Sequence, residues 1–227
     1  MNIPVRQVHW EPCWRLIPSR FPEERILEKL ADLKDIDAIS RVEQMTNERL
    51  RQKRGEVALV APRDWVFGPG SEHIMAAFTH RNPEGSRFSD GQHGVYYAAK
   101  ELATAVEEAK HHRQVFMGRT KEGPMRLEMR VLTAELKGGL HDIRGMQKQL
   151  PQVYSKTSYA AGQELAARMV KESSWGIAYD SVRHAGGQCA AVLRPPALSR
   201  CRAERHMVFE WDGRRVGKVY DMKQYLE

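Results

Sequence analysis

Between Gly85 and Arg113 the chain reads "GSRFSDGQHGVYYAAKELATAVEEAKHHR". An arginine behind a turn, adjacent tyrosines, adjacent glutamates and a run of histidines fall in one short span. Such side chains grip anions, stack on flat rings, and carry protons or stabilise developing charge. The spacing predicts a strand over "GVYYAA" and a helix over "KELATAVEEAKHHR". On a wheel of about 100° per residue, Leu102, Ala105, Val106 and Ala109 make the buried stripe of that helix. Glu107 lies opposite the stripe, beside Lys100, and faces solvent. Glu108 flanks it on the side shared with Glu101 and Thr104, where a carboxylate reaches a cleft at the edge of the core. The wheel therefore favours Glu108, although most helix glutamates are solvated surface residues. His111, His112 and Arg113 suit the negative end of the helix dipole. The histidines lack the i,i+4 spacing of a helical zinc pair and no "HExxH" occurs, so no metal site is expected.

Other side chains carry two readings each. Arg15, in "EPCWRLIPS", either covers apolar surface with its stem or turns a planar fork inward to grip a diphosphate. Arg87, in "GSRFSDG", either braces a loop or binds an anion. Tyr96 and Tyr97 alternate across a strand, so one faces the core and the other the opposite side, where a ring could stack on a heterocycle. Ser181 follows a strand and precedes a Gly-rich turn in "YDSVRHAGG". It is not the centre of a "GxSxG" elbow, and a turn serine bonding its own backbone accounts for it equally well. Gly186-Gly187 build neither "GxxxxGK[ST]" nor "GxGxxG".

The elements that must position these residues read as α+β. Residues 22 to 52 carry a helical pattern, with Ile26, Leu27, Leu30 and Leu33 on one face. "GEVALVAPRDW" reads as a short strand closed by Pro62, and Ser71 is placed to N-cap a short helix in "GPGSEHIMAAFTH". Residues 126 to 144 alternate as two strands around Gly138-Gly139, and residues 157 to 174 form a further helix. "WGIAYDSVR" and "CAAVLRP" are strands on either side of the turn "HAGGQ". "HMVFEWDGRRVGKVYDM" is a hairpin with Asp212-Gly213 at its turn.

With 227 residues, 41% of them apolar, the chain is long enough to bury a core. It shows neither the apolar run of a membrane span nor the pattern of a secretory signal. Cys13, Cys189 and Cys201 are widely spaced and odd in number, which suits a reducing cytoplasm. The net charge of +7 permits nucleic acid, an acidic protein or an anionic small molecule as partner. No nucleic-acid module stands out, and a non-catalytic basic nucleic-acid-binding module is the alternative function.

Taken in order, "WR", "QMTNERL", "GPGSEHIMAAFTH", "SRFSDGQHGVYYAA", "TAVEE" and "GIAYDSVRHAGGQCAAVLRP" resemble the long branch of the RES-domain family, over most of the chain from Trp14 to Pro196. That resemblance implies a single catalytic domain similar to the ADP-ribosyltransferase toxins, spanning residues 61–227. A mostly helical extension over residues 1–60 would precede it and contribute Arg15. It implies the toxin of a toxin–antitoxin pair, acting on NAD+ without a metal. The toxin breaks the nicotinamide–ribose bond and passes ADP-ribose to a protein acceptor, water or phosphate. The implied partner is an Xre-family helix-turn-helix antitoxin that carries the DNA binding, in a complex that has room for a toxin homodimer. Carried over by motif, the site residues are Glu108, Arg15 and Ser181 for catalysis, with Arg15, Arg87, Tyr97 and Ser181 on the NAD+. Leu16 stands where short members often carry an aromatic, which leaves Tyr97 or Trp14 to stack on nicotinamide.

Overall fold

Val8 and Trp10 alternate with exposed neighbours in the period of a half-buried strand, and Val5–Pro18 forms β1, fourteen residues long. This computed structural model describes residues 2–19, 59–80 and 82–223. The helix expected over residues 22 to 52 lies outside the described residues, as does the start of the strand expected from Gly55. The remaining elements are α1 (Ser71–Thr79), β2 (Tyr96–Ala99), α2 (Leu102–Met117), β3 (Met125–Asp142), α3 (Ala160–Lys171), β4 (Gly176–Asp180), β5 (Gln188–Val192), β6 (Leu198–Trp211) and β7 (Val216–Met222). Three-residue 3-10 turns sit at Pro62–Asp64 and Pro195–Ala197. The class is α+β. No helix among the described residues is long and apolar enough to cross a membrane.

The strands lie in the order β1-β2-β5-β4-β3-β6-β7, and β1 also pairs with β3. β1, β2, β5, β4 and β3 therefore close into a ring, and β6 and β7 continue outward from β3. The β1–β3 ladder runs from Val5 opposite His141 to Pro18 opposite Met129, whereas β1 meets β2 only where Trp14 faces Ala99. Beyond that bridge β1 and β2 part. β3 and β4 are parallel over His141 and Asp142; the other strand pairs are antiparallel.

Three expectations change here. Residues 5–18 are not a helical extension but an integral strand of the sheet, held by β3 along almost their whole length. Gly138-Gly139 do not turn the chain; β3 runs straight through them because β1 occupies one edge while β6 and then β4 occupy the other. Glycines inside a strand mark close approach instead, and a Cβ on Gly138 would press Trp175 while one on Gly139 would press Val5. The stretch from Leu59 to Trp65 turns rather than extending, with Pro62 opening a 3-10 turn and the buried Asp64 carboxylate gripped by Arg194.

Side chains on the two sides of the sheet feed separate layers. Tyr96, Leu132, Leu136 and Leu140 pack with Ile74 and Phe78 of α1. On the other side Ala99, Ile177, Tyr179 and Ala191 pack with Ala105 of α2 and with Leu165 and Met169 of α3. A third cluster seats Met117 of α2 on Met129, Phe209 and Trp211. Fully burying a methionine contributes about 1.5–3 kcal/mol, so Met117 near one end and the buried Ala105 near the other, rather than a side-chain cap, seat α2 on the sheet.

α1 shows how tightly the layers are set. Its N-cap is Gly70 in a left-handed conformation, φ 81°, and not Ser71, which is the first helical residue. A Cβ at Gly70 would fall 1.8 Å from the carbonyl oxygen of Cys201 in β6. Gly70→Ala combines left-handed strain with overpacking, so it should lower stability by at least about 2 kcal/mol. A shift in the urea unfolding midpoint at unchanged slope checks this; an unshifted midpoint would contradict the close seating of α1 on β6.

Candidate active site

α2 follows β2 across a two-residue step, and Thr104 and Glu108 stand one turn apart on the side of α2 that faces the end of β4. The loop after β4 is knotted on itself. Ser181 N–H donates to Gly187 O at 2.8 Å and Gly187 N–H to His184 O at 3.0 Å. Ser181 Oγ accepts the amides of Arg183 (3.1 Å) and His184 (2.9 Å), and donates its own proton to Glu108 Oε1 at 2.6 Å. A hydroxyl has one proton and two acceptor positions, so Ser181 is fully used. Glu108 Oε2 has no hydrogen-bond partner among the described residues, and the side chain is only half-buried. Glu107 points elsewhere: its Oε1 pairs with Lys110 at 3.0 Å on the outer face.

Cys189 lies beneath this pair, 2% exposed, with Sγ 4.0 Å from Glu108 Oε1. Burial first, and then the Glu108 charge, push its thiol well up from the ordinary value, so it remains a neutral packing group.

Arg87 is buried, and its Nη1 donates to Val153 O at 2.7 Å and Ser155 O at 2.9 Å while the guanidinium lies over the Tyr159 ring. Arg183 reaches the same segment and donates from Nη2 to Lys156 O at 2.7 Å. Both fields are felt on α2. The His111 imidazole is shifted down from its ordinary value by burial first and then by the charges of Arg183 and Arg87. Two arginines thus act on α2 at His111, three residues beyond Glu108, and among the described residues carbonyls rather than carboxylates hold them.

Tyr97 shares the side of the sheet that carries Glu108, and its hydroxyl is committed to the loop of Arg87. It bonds Ser86 Oγ at 2.7 Å and accepts the Phe88 amide at 2.8 Å. Burial pushes the phenol up to about 12, against the opposing pull of those two bonds and of Arg87, so it stays neutral. Only the ring of Tyr97 is left to meet a ligand. Tyr96 faces the other layer and is core.

Arg15 is placed apart from this group. It lies over the Tyr96 ring, 4.4 Å from its centroid, and donates to Tyr97 O at 3.4 Å. Burial pulls its pKa down from the ordinary guanidinium value, and the phenols of Tyr96 and Tyr97 and the thiols of Cys13 and Cys201 around it are pushed up by burial and stay neutral. Glu108, Ser181, Arg87 and Tyr97 are therefore brought around one side of the sheet. Arg15 stands at the point where β1 and β2 part, with its guanidinium among the first-layer side chains. Trp14 packs with the second layer.

Sequence reasoning passed over Thr104, His184 and Arg183. Their only signals were spacing: Thr104 four residues before Glu108, Arg183 and His184 two and three after Ser181. Among the described residues, His9, Glu11 and Glu135 are the one group with the spacing of metal ligands. Arg200 already bridges both carboxylates there, at 2.8 and 2.6 Å.

Residues 62–212 match the family described as RES domain. That span contains Arg87, Tyr97, Glu108 and Ser181 and leaves Arg15 outside. The chain is 33% identical over 207 residues to the uncharacterized protein y4oC of Sinorhizobium fredii (strain NBRC 101917 / NGR234), covering 91% of this chain and 86% of that protein. A chain in the crystal structure of the M. tuberculosis MbcT-MbcA toxin-antitoxin complex aligns with a TM-score of 0.45 at 9% identity, over 96% of this chain and 87% of that one.

Because Arg87 satisfies two carbonyls at once, Arg87→Gln should loosen the segment around Val153 as well as remove a charge. The expected loss is about 1.5–3 kcal/mol, the range for hydrogen bonds to a charged group. Faster tryptic cleavage at Lys156 should accompany it. Unchanged thermal stability and cleavage would show that the segment holds without Arg87.

Proposed function

Since the chain belongs to the RES-domain family, we propose that it is the toxin of a toxin–antitoxin pair, which cleaves the nicotinamide–ribose bond of NAD+ and transfers ADP-ribose to a protein acceptor, water or phosphate. The observation that carries this reading is the half-committed Glu108 carboxylate. One oxygen is tethered to Ser181 and the other is free among the described residues, on a helix that also feels the charges of two arginines without acidic partners among those residues.

The chemistry suits that arrangement. As the bond from the ribose anomeric carbon to the ring nitrogen breaks, its electron pair goes to nicotinamide, which leaves neutral, and positive charge builds on the ribose. A fixed carboxylate stabilises that charge more in the transition state than in the ground state. Glu108 Oε2 accepts the ribose hydroxyl, and the incoming acceptor closes the bond on the anomeric carbon and releases its proton. Ser181 has no proton left for substrate, so its part is to aim Glu108 rather than to grip the ribose. Arg87 and Arg183 supply fixed positive charge for the diphosphate. The family motif assigns Arg15 to the substrate as well; in this structure its guanidinium lies over Tyr96 and meets the site's strand only at Tyr97 O. Tyr97 offers its ring face to nicotinamide, with Trp14 the other aromatic on that side.

The partner that follows from the family is an Xre-type antitoxin. A chain of net charge +7 suits an acidic inhibitory segment as well as an anionic substrate. The buried, unpaired thiols of Cys13, Cys189 and Cys201 suit the cytoplasm, where NAD+ is at hand.

The test is incubation with NAD+ labelled in the adenylate half, following nicotinamide release and the label with and without phosphate or lysate. Glu108→Gln should lower kcat by about 10²–10³ with KM nearly unchanged, as for loss of a group acting mainly in the transition state. Glu107→Gln should match the parent. Arg183→Gln should mainly raise KM. Label in free ADP-ribose, in its phosphate ester or on a protein band names the acceptor. No nicotinamide release under any condition, together with salt-sensitive binding to DNA or RNA, would replace the enzyme by a basic nucleic-acid-binding module.

A further inference from the structure

We propose that Thr104 and His184 form a latch that aims Glu108, and so act as positioning residues for the proposed reaction; this rests on the reading of Glu108 given above. Thr104 is fully buried, 0% exposed, and its Oγ1 shares a hydrogen bond of 2.8 Å with His184 Nδ1. His184 belongs to the knotted loop whose first residue, Ser181, donates to Glu108. Among the described residues, these two side-chain bonds are the hydrogen bonds from the loop to α2.

Their placement gives the latch its effect. Thr104 and Glu108 are one helical turn apart, so the loop is fastened at two points along α2 rather than one. A single tie would let the loop pivot about Ser181; the second removes that rotation. Gly187 completes the fit. Its bare backbone lies against Thr104, and a Cβ there would come within 2.5 Å of Thr104 Oγ1 and 3.0 Å of His184 Nδ1. Since the Ser181 hydroxyl is saturated, the direction of its one proton follows the position of the loop. The loop is set by Thr104 and His184, and a carboxylate needs sub-ångström placement to serve a transition state. The pair touches neither the free oxygen of Glu108 nor a reacting atom.

The test uses the full chain with Thr104→Val, which keeps the shape and loses the hydroxyl, Thr104→Ser, His184→Ala, and His184→Asn, which keeps a polar atom near Nδ1. Thr104→Val and His184→Ala should each lower kcat about 10–100-fold, the range seen when outer-shell partners are removed, with KM little changed. Thr104→Ser and His184→Asn should recover most of it. The double variant Thr104→Val/His184→Ala should be no slower than the worse single, as for groups acting as one unit. A merely structural pair would lower the folded fraction and leave kcat per folded molecule intact, so normal kcat in the Thr104→Val protein overturns the proposal, as do additive losses. Hydrogen exchange at the His184 and Gly187 amides gives a readout independent of turnover. It should quicken in Thr104→Val while β4 and β5 stay protected. If the parent protein releases no nicotinamide, the reading of Glu108 fails; unaltered exchange in Thr104→Val is then what removes the latch itself.

Discussion

A hydroxyl carries one proton, and Ser181 gives its proton to Glu108. The two amides that donate to the same oxygen leave that proton nowhere else to go. The bond joins a loop after β4 to a helix after β2, elements that β5 separates in the sheet. It fixes one carboxylate oxygen and leaves the other open, the condition for a carboxylate that must be rigid yet available. Much of the surrounding structure serves this bond. Met117 and Ala105 seat α2 on two layers at once, the turn from Ser181 to Gly187 stiffens the donor, and Cys189 fills the floor beneath as a neutral thiol.

Charge is distributed with the same economy. Elsewhere Arg144, Arg194, Arg200 and Arg205 each close on carboxylates. Arg87 and Arg183 instead close on the carbonyls of Val153, Ser155 and Lys156. A carbonyl orients a guanidinium without cancelling its charge, so the field of both arginines survives at the surface of α2, where it adds to the burial that shifts the His111 imidazole down. An anion entering there meets cations already held in place, with little side-chain freedom left to lose.

How much of this could be read from the chain depended on distance along it. The wheel separated Glu107 from Glu108 because their difference is local, fixed by helical geometry within one turn. The hairpin at Asp212 was legible for the same reason: the Asp212 carboxylate accepts the amides of Arg214 and Arg215 within its own turn. Non-local partners defeated the reading. Gly138-Gly139 look like a turn until β1 and β6 arrive on either edge, and Val5–Pro18 look like a prelude until β3 pairs with them. Arg15 carries a motif signal, yet nothing in "CWRLI" tells on which side of the sheet its side chain emerges. Thr104 and His184 lie eighty residues apart, and no periodicity links a helix face to a distant loop.

The ring closed by β1 has a bearing on biosynthesis. Residues 5–18 are made well before their ladder partners, residues 129–141, and the strand that completes the circuit through β2 is β5 near residue 190. Contacts of such sequence separation are slow to form and cannot form at all on a short nascent chain. Glu108 emerges long before Ser181 does, so a chain interrupted in synthesis carries the carboxylate without the group that aims it. Topology alone thus delays the assembled site until β5 has been made.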